Sequence, residues 1–447
     1  MYMKVNTISE IGNFLYSNFD SYLDNVRGDN PNVFTRNRKV GPLPLLLQMF
    51  TQKGKTQFSE LVDYYKEIDK PLDISTVGFY KARMNFNPEA IKLMSNDFIY
   101  QHYENFRETL VKLNGYYITA IDGSDIILPS TKENKENFGV GLGGKDSNIN
   151  DCPAMGSIST LYDCINKLIL DIEIQKYKYS EKDMAANHIT ELKKRNIGKT
   201  ITIFDRGYFS FKLVNSMIEN NQKFLFRLRN DHLKRYHEQL KCNEADISDV
   251  KLTRENLRYY REEPELFNKL SSTTYKLRFA KILVTDNGAS TEEILLTNLT
   301  EDEFDINGLK ELYHLRWDIE TAYNCLKNRM KIEEFSGYRS QLIKQDIYSC
   351  VWLYNLVNLF VIEANLKSEL PQDRYTYKMK RNNNQSIGIV KSYFLRSLMF
   401  YESPERFKEL DIVNMIIKTT LIPVKNKRKV KRGNSKNKSR MSYRYTY

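Results

Sequence analysis

The chain has 447 residues, of which 41% are hydrophobic and 12% aromatic, and 68 Lys and Arg against 56 Asp and Glu give it a formal charge of +12. This apolar content is enough for a large buried core and excludes a disordered chain. The five cysteines form no CxxC pair, which argues against a disulfide framework or a zinc knuckle and favours a reducing compartment. The longest apolar run, residues 351–364, is broken by two asparagines and is too short to span a bilayer. We therefore expect a cytoplasmic protein with no membrane partner.

Residues 1–110 predict a helical N-terminal region that binds DNA. An amphipathic segment, Gln57–Ile68, is followed by the polar break DKPLD and by a second helical segment, Ser75–Asn85. Two helices joined by a short turn are typical of a helix-turn-helix motif, in which Lys81 and Arg83 of the second helix would contact DNA. Two ordinary packed helices are an equally good interpretation of this pattern.

The pattern changes to strands in residues 111–365, which predict a second domain; its catalytic role is an expectation that rests on the motifs and the resemblance described below. The apolar runs YYITAID and TITIFD end on Asp122 and Asp205, and the segments GSISTLYD and NKLILDIEIQKY predict a β-hairpin between them. A helix over residues 180–195 is expected to separate this hairpin from the second aspartate strand. The order of the elements indicates a mixed α/β core.

Three further segments complete the predicted organisation. Residues 230–290 are polar and mixed, with short β-like runs, and interrupt the catalytic domain. Asp305–Met330 predicts one long helix. Residues 366–422 predict a helical C-terminal region.

The positive charge is concentrated at the C-terminal end. The segment Lys425–Arg444 holds ten Lys and Arg and no acidic residue, so residues 423–447 predict a basic disordered tail. Its Lys427, Arg428 and Lys429 would attract the phosphate backbone of nucleic acid without reading the sequence. A solubilising extension is the alternative.

The predicted helix Asp305–Met330 carries the most informative pattern. At about 100° per residue, five side chains with polar ends fall on one face, beside a separate apolar stripe. These five are Tyr313, Arg316, Glu320, Tyr323 and Lys327. A solvated charged face is the ordinary alternative, but it would be expected to show more Glu-to-Lys pairs at i,i+4 spacing.

Carboxylates at the ends of buried strands are held rigidly, as metal coordination requires. Asp122 and Asp205, combined with Glu320, could hold two Mg²⁺ ions about 4 Å apart, which is the geometry for in-line phosphoryl transfer. Arg316 and Lys327, on the same face as Glu320, would hold neighbouring phosphates.

These residues carry a resemblance to a known family. The spacing Tyr313-x2-Arg316-x3-Glu320-x6-Lys327 resembles the Tyr-Arg-Glu-Lys signature of the insertion-sequence-four family of DDE transposases. The segments AIDGSDIILP and DRGYFS resemble the first-Asp and second-Asp motifs of that family. The resemblance covers about residues 40–390.

The resemblance implies an RNase H-like catalytic core that uses divalent metal, with Asp122, Asp205 and Glu320 as the catalytic and metal-binding triad. The metal would be two Mg²⁺ ions, for which Mn²⁺ could substitute. It also implies that residues 230–290 form a β-rich insertion. The expected fold class is therefore α/β, an RNase H-like mixed sheet flanked by helices, with this insertion and with helical N- and C-terminal parts.

The resemblance further implies which residues contact DNA. Arg316 and Lys327 would hold strand phosphates near the transposon end, and Tyr313 would contact the same DNA. Arg206, which follows the second Asp, is expected to contribute as well. The partners would be double-stranded DNA, both transposon ends and target, and a second copy of the chain in a homodimer on paired ends.

Hairpin-forming relatives use a Trp of the insertion to take up a flipped base, but the only two Trp of this chain, Trp317 and Trp352, lie outside that segment. Four aromatic residues of the insertion are candidates to replace it: Tyr259, Tyr260, Phe267 and Phe279.

A glycine-rich loop after residue 138 fits GxGxxG and nearly fits a P-loop. Asp146 stands where a P-loop has the Ser or Thr that binds Mg²⁺, so we expect no nucleotide cofactor.

The expected function is that of a metal-dependent DDE transposase of an insertion sequence, which cuts DNA at the transposon ends and joins them to target DNA, directly or through hairpin ends. A plain metal-dependent nuclease is one alternative. A catalytically inactive or domesticated DNA-binding protein is another, although the three intact motifs argue against it.

Overall fold

The computed structural model of the chain describes residues 5–36, 38–52, 54–141, 152–286, 289–370, 375–403 and 411–424. Residues 1–110 contain six α-helices within these ranges: α1 (Thr7–Asn18), α2 (Leu23–Arg27), α3 (Pro42–Phe50), α4 (Gln57–Glu67), α5 (Thr76–Arg83) and α6 (Pro88–Asn105). The two helices expected near residues 57 and 75 are α4 and α5. Each begins after a side-chain cap, because Thr56 accepts a hydrogen bond from the backbone of Ser59 and Ser75 accepts one from Gly78.

Eight strands form one mixed sheet in the order β3-β2-β1-β4-β5-β8-β7-β6. The strands are β1 (Tyr117–Leu128), β2 (Ala154–Asp163), β3 (Leu168–Lys176), β4 (Thr200–Phe204), β5 (Lys223–Leu228), β6 (Glu244–Lys251), β7 (Thr274–Asp286) and β8 (Ala289–Thr297). Strands β1, β4 and β5 run parallel, and β2 runs antiparallel to β1 and β3. The order 3-2-1-4-5 with β2 reversed is that of an RNase H-like sheet, so the predicted α/β fold class is confirmed.

The strands of residues 230–290 extend this sheet. β8 pairs antiparallel with β5, from Leu225 opposite Thr297 to Leu228 opposite Ile294, and β7 and β6 follow outward. The segment is thus β-rich, as expected, but its strands continue the main sheet through backbone hydrogen bonds. The division of the chain into domains remains a prediction.

Helices cover both faces of the sheet. Those of the central region are α7 (Lys132–Phe138), α8 (Glu181–Arg195), α9 (Phe211–Glu219), α10 (Arg254–Leu257), α11 (Pro264–Ser272), α12 (Ile306–His314) and α13 (Trp317–Asn328). Successive residues of a strand point to opposite faces. On β2, Ser159 contacts His188 of α8, and the next residue, Thr160, contacts Tyr323 of α13. Helices α8 and α13 therefore lie on opposite faces.

The long helix expected over Asp305–Met330 is instead two helices, α12 and α13, so that prediction is wrong. Around the junction, the backbone N–H groups of Leu315, Arg316, Asp318 and Ile319 donate to carbonyls three residues earlier. These tighter bonds interrupt the regular α-helical pattern between the two segments.

The central helix α14 (Ser340–Lys367) joins the N-terminal helices to the sheet. Trp352 packs against Phe14, Phe50 and Phe98, while Asn355 exchanges hydrogen bonds with both backbone groups of Ile169 on β3. By length and composition α14 could cross a membrane, but 83% of its apolar window is buried inside the protein, as in a core helix. It is the one helix with this property in the described ranges.

The C-terminal region packs on α14 through two helices, α15 (Asn383–Met399) and α16 (Ile412–Thr419). Two short strands, β9 (Met379–Arg381) and β10 (Leu421–Pro423), pair beside them as a separate ribbon.

Candidate active site

Two of the predicted carboxylates lie on neighbouring strands. The last parallel pair of β1 and β4 is Ile121 opposite Phe204, and Asp122 and Asp205 follow it. The expectation that the first strand ends on Asp122 is wrong, because β1 continues to Leu128 through pairing with β2 alone. β4 does end before Asp205. The two side chains therefore lie where β4 stops beside a longer β1.

Glu320 joins this pair from α13. Burial raises the pKa of Asp122 to about 6, and the nearby charges of Asp205 and Glu320 act in the same direction, against the opposing charge of Arg316. Tyr323 of the same helix bonds Thr160, the residue opposite Asp122 on β2, so α13 covers the face of the sheet to which Asp122 points. The structure thus brings the three predicted triad residues together.

The donor set suits a hard divalent cation, which prefers carboxylate oxygens. In the described ranges, no three His, Cys, Asp or Glu side chains are close enough to hold a metal as they stand. Glu320 Oε1 instead accepts a hydrogen bond from Arg316 Nη2 at 2.9 Å. Burial is the main cause of the raised pKa of Asp122, and a bound cation would favour its ionised form. The residues therefore fit a divalent metal, provided that Glu320 leaves Arg316.

Asp205 has two further partners. Tyr313 donates its hydroxyl hydrogen to Asp205 Oδ1 at 3.3 Å, and Arg227 Nη1 lies 3.5 Å from the same oxygen. Arg227 also forms an ion pair with Glu293 of β8. Burial, followed by the charge of Asp205, raises the pKa of Tyr313 to about 12, so this phenol stays protonated.

Sequence reasoning missed Arg227. Its signal was available: KFLFRLR was expected to continue the sheet, and an Arg within an apolar strand next to the second-Asp strand needs a carboxylate partner.

The face of α13 toward β1 holds two more predicted residues. Tyr323 donates its hydroxyl hydrogen to the backbone oxygen of Asp122 at 2.8 Å and accepts one from Thr160 at 3.0 Å. Lys327 donates to the backbone oxygen of Asp125. These bonds fix the helix against the strand that carries the first carboxylate.

Lys81 lines a basic groove in the N-terminal region. The groove measures about 1150 Å³ and lies between the loop over residues 32–42 and α5. Arg36, Arg38 and Lys39 line the same groove, and Lys39 is paired with Asp73. Lys81 itself is exposed.

The prediction that Arg83 contacts DNA is wrong. Its side chain is 1% exposed and donates hydrogen bonds to Gln345 and Asp346 of α14 at 3.0 and 2.9 Å and to Ser336. A buried guanidinium with these partners serves to join α5 to the core.

The other predicted residues are dispersed. Arg206 is exposed and directly follows Asp205. Lys427, Arg428 and Lys429 lie outside the described residues, as does Asp146 in the glycine-rich loop.

The four aromatic candidates of the insertion differ in exposure. Tyr259 is 73% exposed, with the guanidinium of Arg258 over its ring, whereas Phe279 is fully buried and stacks on Tyr236. The hydroxyl of Tyr260 accepts hydrogen bonds from the backbone of α9. Phe267 is partly buried against the core. Tyr259 is thus the most accessible of the four.

Comparison of the sequence with known protein families identifies the family to which this chain belongs. Residues 113–356, more than half of the chain, match the family described as Transposase DDE domain. The chain is 26% identical over 249 residues to the transposase InsG for insertion sequence element IS4 of Escherichia coli (strain K12), a match that covers 53% of this chain and 50% of that protein. It is 31% identical over 77 residues to the transposase for insertion sequence element IS421 of Escherichia coli, which covers 17% of this chain and 19% of the relative.

The chain therefore spans about half the length of the first of these curated relatives and about a fifth of the second. Among solved structures, a cryo-EM structure of the piggyBac transposase synaptic complex with hairpin DNA is similar at 10% identity and a TM-score of 0.40, covering 92% of this chain and 83% of that one. With its RNase H-like sheet and its match over residues 113–356, the chain belongs to the DDE transposase family.

Proposed function

We propose that this protein cuts DNA at the ends of an insertion sequence and joins those ends to target DNA. The observation that carries the proposal is the position of α13, whose Tyr323 donates to the backbone oxygen of Asp122 and so holds Glu320 beside the strand ends that carry Asp122 and Asp205. These three side chains would hold two divalent cations, Mg²⁺ or Mn²⁺ in its place. When bound, such ions supply the positive charge that stabilises in-line phosphoryl transfer.

Residues of the chain itself would position the DNA strand. Arg316 has a buried side chain, 8% exposed, that is paired with Glu320, and its planar guanidinium would donate to a phosphate once Glu320 turns to a cation. Lys327 lies one turn beyond Tyr323 on the same face, and Arg206 is exposed beside Asp205. Tyr313, held by Asp205, would contact the same strand end.

Binding to the rest of the DNA would use surfaces outside the site. Lys81 and the groove that it lines carry positive charge on the N-terminal region, and Lys427, Arg428 and Lys429 add charge that attracts any phosphate backbone. The protein would act in the cytoplasm, on the bacterial nucleoid, as a homodimer that holds two ends.

The test is cleavage of a plasmid that carries the DNA flanking this gene on both sides. Incubation of the full chain with Mg²⁺ or Mn²⁺ should excise the segment between the ends, and EDTA should prevent it. Glu320→Gln should abolish excision, whereas Glu311→Gln, an exposed glutamate of α12, should not. End binding without metal-dependent cleavage in the parent chain would instead favour an inactive DNA-binding protein.

The oligomeric state can be read in the same reaction. We expect excision to proceed in a complex that contains two chains and two ends, as measured by light scattering of the purified complex. Complete excision by a complex of one chain with one end would contradict the homodimer.

A further inference from the structure

A fourth acidic side chain lies beside the triad. Glu181 is the first residue of α8, and its carboxylate lies against the two glycines that follow the catalytic aspartates. A methyl group at Gly123 would come within 3.5 Å of Glu181 Oε1, and one at Gly207 within 3.6 Å of Oε2. The carboxylate of Glu181 therefore lies close to both of the chain segments that carry Asp122 and Asp205.

The hydroxyl group of Tyr208 reaches the same place. This hydroxyl also lies 3.5 Å from the position that a methyl group at Gly123 would occupy. Tyr208 itself is only 2% exposed. Within the described ranges this buried hydroxyl has no hydrogen-bond partner. An unsatisfied buried polar group is costly, so one that is directed at a cluster of carboxylates indicates a ligand that completes the site.

In the part of the chain that the structure describes, Glu181 has no cation partner, unlike Glu320 and Asp205. Glu320 is paired with Arg316 and Asp205 with Arg227, but no side chain of the described ranges pairs with Glu181 or donates a hydrogen bond to it. Partial burial and the charges of Asp125 and Asp205 raise its pKa. The negative charge on this side of the site is therefore uncompensated within the described chain.

We propose that Glu181 is a fourth carboxylate of the metal site, which contributes an oxygen ligand to a divalent cation held with Asp205. Once the cation is bound, Tyr208 would orient Glu181 by donating its hydroxyl hydrogen, which has no acceptor in the described ranges, to a Glu181 oxygen. The inference rests on the proposed function, because it needs the triad to bind metal, and it assigns a role to α8 that the three family motifs do not contain.

The test is Mn²⁺ binding to the full chain without DNA, measured by calorimetric titration and by the rise in melting temperature with Mn²⁺. Glu181→Gln should weaken Mn²⁺ binding about tenfold or more, by the scale usual for metal-site residues, and should reduce the thermal shift. Tyr208→Phe should weaken it less, because it removes the orienting hydroxyl and keeps the carboxylate. Asp183→Asn is the matched control, since it removes one charge from the same first turn of α8 at an exposed position.

The outcomes separate this inference from the proposed function. Unchanged Mn²⁺ affinity in Glu181→Gln, alongside a clear loss in Glu320→Gln, would overturn the role of Glu181 and leave the triad in place. Absence of Mn²⁺ binding by the parent chain would overturn both. If Glu181→Gln folds poorly, Glu181→Asp can replace it, because it keeps the charge but withdraws it by one methylene. Mn²⁺ affinity equal to that of the parent chain in both Glu181→Asp and Tyr208→Phe would also count against the inference.

Discussion

His188 Nδ1 lies 2.8 Å from Asp171 Oδ2 in a buried polar layer of the sheet that carries Asp122. The other ring nitrogen, Nε2, lies 3.1 Å from Ser159 Oγ, and Ser159 donates a hydrogen bond to the backbone oxygen of Asp122 at 3.4 Å. Asp171 also accepts a hydrogen bond from Asn96 of α6. A continuous polar network thus connects the backbone of Asp122 to α8 and to the N-terminal helices.

The network should stabilise the fold at neutral pH and fail in acid. Burial alone would raise the pKa of Asp171, but the hydrogen bond and charge of His188, aided by Lys92 and Asn96, lower it overall. A lowered carboxyl pKa contributes stability that is present above the ordinary value near 4 and is lost as the pH falls below it. Asp171→Asn should therefore cost about 3 kcal/mol of unfolding free energy at pH 7.

Urea unfolding of the parent and of Asp171→Asn at several pH values measures this loss of unfolding free energy. The difference in unfolding free energy between the two proteins should shrink below about pH 4. Asp24→Asn, which alters a pair whose carboxylate is 96% exposed, should change stability by less than about 0.5 kcal/mol. A constant cost of Asp171→Asn down to pH 3 would contradict the account.

Asp122 should have the opposite effect on stability. Because its pKa is raised to about 6 in the folded chain, ionisation costs stability as the pH rises from about 4 to 6, and the cost persists above that. Asp122→Asn should therefore stabilise the metal-free chain by about 1 to 2 kcal/mol at pH 7 and by nothing below pH 4. Thermal unfolding with EDTA at pH 4 and pH 7 checks this, and destabilisation at pH 7 would be the contrary result.

Substitution of Arg83 should affect the stability of the fold, whereas substitution of Lys81 should affect DNA binding. Arg83→Lys should lower the unfolding free energy by about 2 kcal/mol, because a single ammonium cannot replace a guanidinium that reaches three partners, two of them buried. Lys81→Gln should leave stability within about 0.5 kcal/mol and weaken DNA binding. Chemical unfolding measures the stability of both variants, and gel shifts measure their affinity for DNA. An Arg83→Lys variant that is as stable as the parent but binds DNA weakly would show that Arg83 serves DNA binding and not stability.

Tyr259 should be the insertion residue that takes up a flipped base, if excision passes through hairpin ends. Its ring is exposed, and stacking of a base on an aromatic side chain is worth about 1 to 3 kcal/mol. Tyr259→Ala should therefore lower hairpin yield about tenfold or more, while Tyr259→Phe keeps the ring and should retain the yield. Denaturing gels of cleaved ends resolve hairpins from open ends, and equal yields in both variants would exclude the role.

The basic tail should contribute to binding without choosing the sequence. Replacing Lys427, Arg428 and Lys429 by Gln should reduce the slope of log affinity against log salt by about 2 to 3 for any DNA. End DNA and unrelated DNA of equal length should lose affinity equally in fluorescence anisotropy titrations. A loss confined to end DNA would show that the tail reads sequence.

Local patterns predicted much of the fold and of the triad. The apolar runs before Asp122 and Asp205 identified the two strands, and helical periodicity placed Glu320 with Arg316 and Lys327, because each of these signals lies within one element. The break between α12 and α13 was not predictable, since the apolar stripe continues through it without a glycine or proline.

Long-range partners account for the remaining errors. Lys81 and Arg83 are indistinguishable in the sequence, and what separates them is contact with Gln345 and Asp346, more than 250 residues away. Glu181 likewise looks like an ordinary helix-start residue until the sheet brings α8 beside Gly123. Short-range patterns contain no information about such contacts.

The pairing of β8 with β5 determines how this chain can be shortened. Removal of residues 230–297 would leave β5 as an edge strand, with unpaired backbone groups beside the buried Phe224, Leu225 and Phe226. Such an edge is a template for association with other chains. A truncated protein would therefore aggregate, so a shorter version of this chain would have to keep β8 or replace it with another strand.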